Sequence, residues 1–140
     1  MKFNSQICTS HSQSERLLAL GLKKDTADMV HQPIGVSPYK VWGNAEISDD
    51  FCPAWSLHRL IEIVPKLVKV PKPNYGWNGE DLMFHINDEL HILYEDLCIE
   101  NEEYRFCSKY FYKSNLYDNF IDCIEWLIKE GYFNKEYLEE

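Results

Sequence analysis

Residues 82–94 read Leu82-Met83-Phe84-His85-Ile86, then Asn87-Asp88-Glu89, then Leu90-His91-Ile92-Leu93-Tyr94. Leu82, Phe84 and Ile86 alternate with Met83 and His85, and Leu90, Ile92 and Tyr94 resume the same period of two. Successive side chains of a strand point to opposite faces, so the alternation predicts two strands. Asn87-Asp88-Glu89 carries the turn chemistry that reverses the chain between them. A β-hairpin in mid-sequence is the nucleus of an antiparallel sheet.

Its neighbours extend that sheet. Lys66-Leu67-Val68-Lys69-Val70 reads as a strand closed by Pro71 and Pro73, and Asn74 to Gly79 is rich in turn residues. β-favouring aromatics are dense between Tyr104 and Tyr112, which predicts a further strand there. Pro33, Gly35 and Pro38 interrupt the stretch from Met29 to Trp42, leaving room for a short edge strand near Tyr39 and Val41. Asn44 to Asp50 is a polar loop.

Three helices flank these strands. Ser10-His11-Ser12-Gln13 has capping-box form, Leu17, Leu18 and Leu20 supply an apolar stripe, and Gly21 suits a left-handed C-terminal cap. Ser56 is the expected N-cap of a second helix carrying Leu57, Leu60, Ile61 and Val64, stopped by Pro65. Asn119 is the expected cap of a third, with Phe120, Ile121, Ile124, Leu127 and Ile128 on one broad face. Asp122 falls in its first turn, Lys129 in its last and Gly131 just beyond. Asn134 to Glu140 adds one more turn. The expected fold class is α+β, a small antiparallel sheet of about four strands with three helices packed on it, in a single globular domain spanning residues 1–140.

Composition narrows the function classes. The formal net charge of −9 opposes whole-surface attraction to DNA, RNA or anionic lipid. Glu62, Lys66 and Lys69 interrupt the most apolar run, so no membrane span is expected, and Met1 to Gln6 lacks the apolar core of a signal peptide. The five cysteines are odd in number, irregularly spaced and free of Cys-x-x-Cys, so they read as reduced small hydrophobes in a cytoplasmic protein.

The charge is lopsided. Residues 1–75 hold nine Lys and Arg against seven Asp and Glu, a balance of +2; residues 76–140 hold five against sixteen, a balance of −11. No basic residue lies between Lys72 and Arg105. The same half is aromatic: twelve of the chain's twenty Phe, Tyr and Trp fall between Tyr94 and Tyr137. Glu95, Asp96, Glu100, Glu102, Glu103, Tyr104, Tyr110 and Tyr112 form the candidate interaction face, where acids attract a basic partner and tyrosines supply contact area.

Signs of chemistry are sparse. Nothing matches the oxygen spacing of a calcium loop, a His-Glu-x-x-His helix, a Gly-x-Ser-x-Gly elbow or a glycine-rich phosphate loop, so no catalytic, metal or cofactor-binding residue is assigned. His85 and His91 straddle the hairpin turn and are placed to face one another across it, but two ligands fall short of a catalytic zinc site. Trp55 reads as a buried aromatic anchor.

Three segments together carry a resemblance. They are Cys8-Thr9-Ser10 with Gln13 to Leu22 and Asp25 to Met29; Pro53-Ala54-Trp55-Ser56-Leu57 running through Leu60, Ile61 and Glu62 to Pro65; and Tyr117-Asp118-Asn119, Asp122 and Trp126 to Tyr132. In this order they resemble a family of small uncharacterised hypothetical proteins from gut-bacterial prophages and mobile elements. Members often have proline after the asparagine of the third segment, where Phe120 stands here. The resemblance implies a shared architecture and a cytosolic, mobile-element setting; the family has no assigned activity, cofactor or catalytic residues, so no site is carried over.

The resulting expectation is a small non-enzymatic accessory protein that binds another protein, with a basic surface, through its acidic and aromatic C-terminal half. Two alternatives stand beside it: a nucleic-acid mimic competing for a basic host protein, and an enzyme whose site assembles only in the fold.

Overall fold

The computed structural model describes residues 5–31, 39–40, 51–70, 80–96 and 107–140. The chain divides into two compact units, Met1–Val64 together with Asn134–Glu140, and Pro65–Phe133.

In the first unit, Ser10 begins helix α1 (His11–Ala19) through a complete capping box: its hydroxyl accepts from the Gln13 amide, and the Gln13 side chain accepts from the Ser10 amide. Gly21 follows at φ +102°, the left-handed conformation a helix end favours and side chains resist. A 3-10 turn, Lys24–Thr26, leads into a three-stranded antiparallel sheet of β1 (Met29–His31), β2 (Tyr39–Lys40) and β3 (Cys52–Ala54), ordered β2-β1-β3. Strand β3 lies where the sequence suggests only the approach to a helix; among the described residues it is an edge of this sheet, where Pro53 is tolerated. Val41 and the polar loop at 44–50 lie outside the described residues. Helix α2 (Leu57–Ile63) starts at Ser56, whose hydroxyl accepts from the Arg59 amide, and Pro65 stands just past its end.

Trp55 anchors this unit. It is fully buried, and its indole N–H donates to Thr26 Oγ1 at 3.0 Å, which satisfies the one polar group of the ring. The C-terminal residues complete the unit, with the Lys23 amide donating to Tyr137 O at 2.9 Å and the Glu139 amide to Gly21 O at 2.7 Å.

The second unit is a four-stranded antiparallel sheet, β4 (Leu67–Val70), β5 (Glu80–Ile86), β6 (Ile92–Asp96) and β7 (Cys107–Phe111), in sequential order. The predicted hairpin is β5–β6, with Phe84 opposite Tyr94 and Ile86 opposite Ile92. Leu90 belongs to the turn rather than to the return strand, at φ +62°. Val68, Leu82, Phe84, Ile92, Tyr94 and Phe111 share one face by register. Helix α3 (Leu116–Glu130) covers it, with ring centroids of Phe84 and Phe120 6.0 Å apart and those of Tyr94 and Trp126 5.5 Å apart. The protein is therefore α+β, with three α-helices and antiparallel sheets among the described residues.

Helix α3 corrects one expectation. Its N-cap is Asn115, whose side chain accepts from the Asp118 amide, so the helix begins a turn earlier and Asp118, not Asp122, sits in its first turn. Tyr117, buried with Phe120 and Ile121, extends the apolar face upstream, and that burial favours the earlier start. Asn119 is instead fully buried inside the helix. Gly131 caps the far end at φ +79°. Among the described residues no helix is long and apolar enough to cross a membrane.

Candidate functional site

The hairpin turn and the end of β7 together build the most developed polar cluster of the second unit. Asn87 opens the turn: its side-chain oxygen accepts from the amides of Glu89 at 3.0 Å and His91 at 2.9 Å, and its backbone closes the turn on Leu90 and His91. The backbone of both residues is thereby held in place. His91 Nδ1 is hydrogen-bonded to the Tyr110 hydroxyl, and Glu89 Oε2 lies 3.7 Å from the same nitrogen. The two rings meet edge to face, centroids 5.2 Å apart. Beyond them Tyr112 stacks on Tyr110 at 5.6 Å and 27°.

Buried Asn119 ties the two sides of this cluster together. Its carboxamide nitrogen donates to Leu90 O at 3.1 Å and Lys113 O at 2.9 Å, and its oxygen accepts from the Lys113 amide at 2.7 Å. One side chain of α3 therefore satisfies the turn that carries His91 and the segment that follows Tyr112. Three backbone groups that would otherwise be stranded set the spacing between imidazole and phenol.

The predicted interaction face is only partly assembled by these residues. Tyr110 and Tyr112 are 40% and 69% exposed and adjacent, as a contact surface requires. Glu95 is half-buried, and the register puts it on the sheet face of Leu93 and Tyr110, away from α3. Leu67 and Met83, both exposed, share that face. Asp96 lies on β6 opposite Leu82, while its side chain, together with Glu100, Glu102, Glu103 and Tyr104, lies outside the described residues. The expected pairing of the two hairpin histidines does not occur. His85 lies opposite Leu93, and His91 falls in the turn, where it meets Tyr110 of the next strand. Its partner is thus set by the β6–β7 register, which a reading of the hairpin alone cannot reach. Asn87 was legible as a turn residue; Glu89, His91 and Asn119 carry no local signal that they converge.

The first unit holds a second cluster. Cys8 Sγ lies 3.9 Å from His31 Nε2, and the imidazole of His11 stacks on that of His31 at 4.4 Å. A thiol beside an imidazole invites comparison with a nucleophilic dyad, but the geometry opposes it. His31 Nε2 is 2.6 Å from the Thr9 carbonyl, an acceptor, so this nitrogen carries hydrogen and is not free to take the thiol proton. Burial, then the Asp28 carboxylate, then Cys52 push the Cys8 thiol up to about 11, so it stays protonated at neutral pH. Cys8 and Cys52 are both free thiols. This cluster packs the unit, with Cys8 a buried, protonated thiol.

Among the described residues no group of three or more His, Cys, Asp or Glu side chains is placed to hold a metal ion. Compared with known proteins, the chain matches no family model, no curated protein and no solved structure.

Proposed function

We propose that this protein is a small non-enzymatic accessory protein that binds another protein through its acidic, aromatic C-terminal half. The observation that carries the reading is the stacked pair of exposed tyrosines, Tyr110 and Tyr112, on a strand end fixed by a buried asparagine. Rigid, partly exposed tyrosines give contact area at a small entropic cost, because few rotors are frozen on docking. Exposed Leu67 and Met83 add apolar area to the face that carries Tyr110, and Glu95 with the −11 balance of residues 76–140 selects for a basic partner. A cytosolic setting among prophage or mobile-element genes is the part of the proposal that rests on the three-segment resemblance.

The test is affinity capture from host-cell lysate with the native protein, a Tyr110→Ser/Tyr112→Ser variant and a Glu95→Lys variant, each first shown folded by circular dichroism. A basic protein recovered by the native chain at low salt, weakened by Glu95→Lys and by moderate salt, and lost with the tyrosine variant, is the expected result. Recovery that is indifferent to both variants would remove this face from the account.

A further inference from the structure

We infer that Tyr110 is an activated nucleophile, with His91 as its general base and Glu89 as the group that steadies the charge, and that it accepts an acyl group from an activated acyl donor. The inference does not depend on the binding reading, since it concerns one phenol and its two neighbours rather than the whole face.

Neutral imidazole has one nitrogen that donates and one that accepts, and a carboxylate only accepts. The Nδ1–hydroxyl contact fits either direction, and the proposed nucleophile uses the neutral tautomer with its hydrogen on Nε2, in which Tyr110 donates and the Nδ1 lone pair faces the phenolic hydrogen. The arrangement is that of a nucleophile and its base within hydrogen-bond reach, with a third group beside the base. When Tyr110 Oη attacks an acyl carbon, the phenolic proton passes to Nδ1, and the imidazolium then faces Glu89 Oε2 at 3.7 Å. Tyr110 stays accessible at 40% exposure, so the reacting oxygen is reachable from solvent.

The site is also pre-organised. The Asn87 side chain holds both Glu89 and His91 by their amides, and Asn119 locks the turn to the segment after β7. Asn87 and Asn119 are positioning residues; His91 is the group that takes the proton.

N-acetylimidazole serves as the acyl donor. The new bond is Tyr110 Oη to the acetyl carbon, the acetyl carbon–nitrogen bond breaks, and His91 returns the proton to the departing imidazole, giving one aryl ester and one imidazole. Tyr112 is the internal reference. At 69% exposure it is more accessible than Tyr110, so accessibility alone predicts that Tyr112 reacts first.

The experiment follows acetylation of both tyrosines in the full chain by peptide mass spectrometry. We expect Tyr110 to react about ten-fold faster than Tyr112, less than the roughly 10²–10⁴-fold a positioned base supplies in a closed site, because this one is open to water. His91→Phe should bring Tyr110 below Tyr112 while the Tyr112 rate holds, and Glu89→Gln should slow Tyr110 about two- to three-fold. If His91→Phe alters Tyr112 as well, His91→Gln decides, since it keeps a hydrogen-bond partner for the phenol but accepts no proton. A native Tyr110 rate at or below that of Tyr112, or a Tyr110 rate unchanged in His91→Gln, would overturn the inference.

Discussion

Asn119 shows how a single residue type admits two structural roles. An asparagine directly before an apolar stripe satisfies the rule for an N-cap, and so does Asn115 four residues earlier. Burial separates them. Asn115 keeps the cap at the helix start, whereas Asn119 is shielded from solvent and gives its amide to backbone groups of two other segments. Sequence periodicity cannot see which carbonyls will lie opposite an inward-facing amide. Truncation should be costly: Asn119→Ala leaves Lys113 N, Lys113 O and Leu90 O without this partner, a loss of about 2–4 kcal/mol. Urea unfolding measures it, and a loss under about 1 kcal/mol would mean that water replaces the amide. Cys8 makes a second residue-level prediction. Its thiol holds its proton to about 11 in the folded chain against 9.0 ordinarily. Between those values the unfolded chain binds fewer protons than the folded one, so the contribution is fully present below pH 9 and is lost as pH rises toward 11. Burial raises the thiols of Cys52 and Cys123 and the Tyr94 phenol in the same direction. The urea midpoint should fall steadily from pH 9 upward, and Cys8→Ala should make the fall shallower; an identical slope would detach Cys8 from it.

The elements divide by whether their signal is local. The capping box of α1, the Ser56 cap of α2 and the β5–β6 hairpin are written within a few adjacent residues, and all three form, the hairpin with Leu90 in its turn. Strand β3 is the contrary case. Cys52-Pro53-Ala54 has no alternation and only three residues; it is a strand because β1 pairs with its backbone, an arrangement fixed from outside the segment. The interaction face fails to be legible for the same reason: Tyr110 and Tyr112 are plain in the sequence, but the β6–β7 register brings His91 to one of them. Helix α3 permits a test of its two ends at once. Gly131 has φ +79° with open space around a would-be Cβ, so Gly131→Ala meets backbone strain without a clash and should cost about 1 kcal/mol. Asn115→Ala removes the cap and should cost about the same. The fifteen-residue helix puts roughly 22 Å between these sites, far enough for the losses to add in the double variant. A double variant no worse than either single would show that the ends are not independent.

At the scale of the whole chain, the two units differ in how they are strung. Pro65–Phe133 is one continuous segment whose four strands pair with sequence neighbours, the arrangement with the smallest loop-closure cost. The first unit is discontinuous: Leu22 bridges to Leu138, and Lys23 is bonded through both its amide, to Tyr137 O, and its side chain, to Glu136 O at 3.0 Å. These contacts span more than a hundred residues and had no sequence signature, because Asn134 to Glu140 reads only as an extra turn and nothing local names its partner. Their cost is entropic, since closing so long a loop costs more than closing a short one. Their return is the cover they give to buried Leu22 and the bonds that end α1's exit from its left-handed glycine. A chain ending at Phe133 loses the acceptor of the Lys23 amide and the donor to Gly21 O, whose bonds are 2.9 and 2.7 Å. In hydrogen exchange, the Lys23 amide should then exchange at least about ten-fold faster than in the full chain, because a broken bond of about 1.4 kcal/mol is a ten-fold change in opening. Leu138→Ala, which keeps every backbone bond and removes side-chain cover alone, should produce a smaller change at the same amide. An exchange rate at Lys23 that ignores the truncation would mean the tail is laid against the unit without supporting it, and the discontinuous description would have to give way to a first unit that ends at Val64.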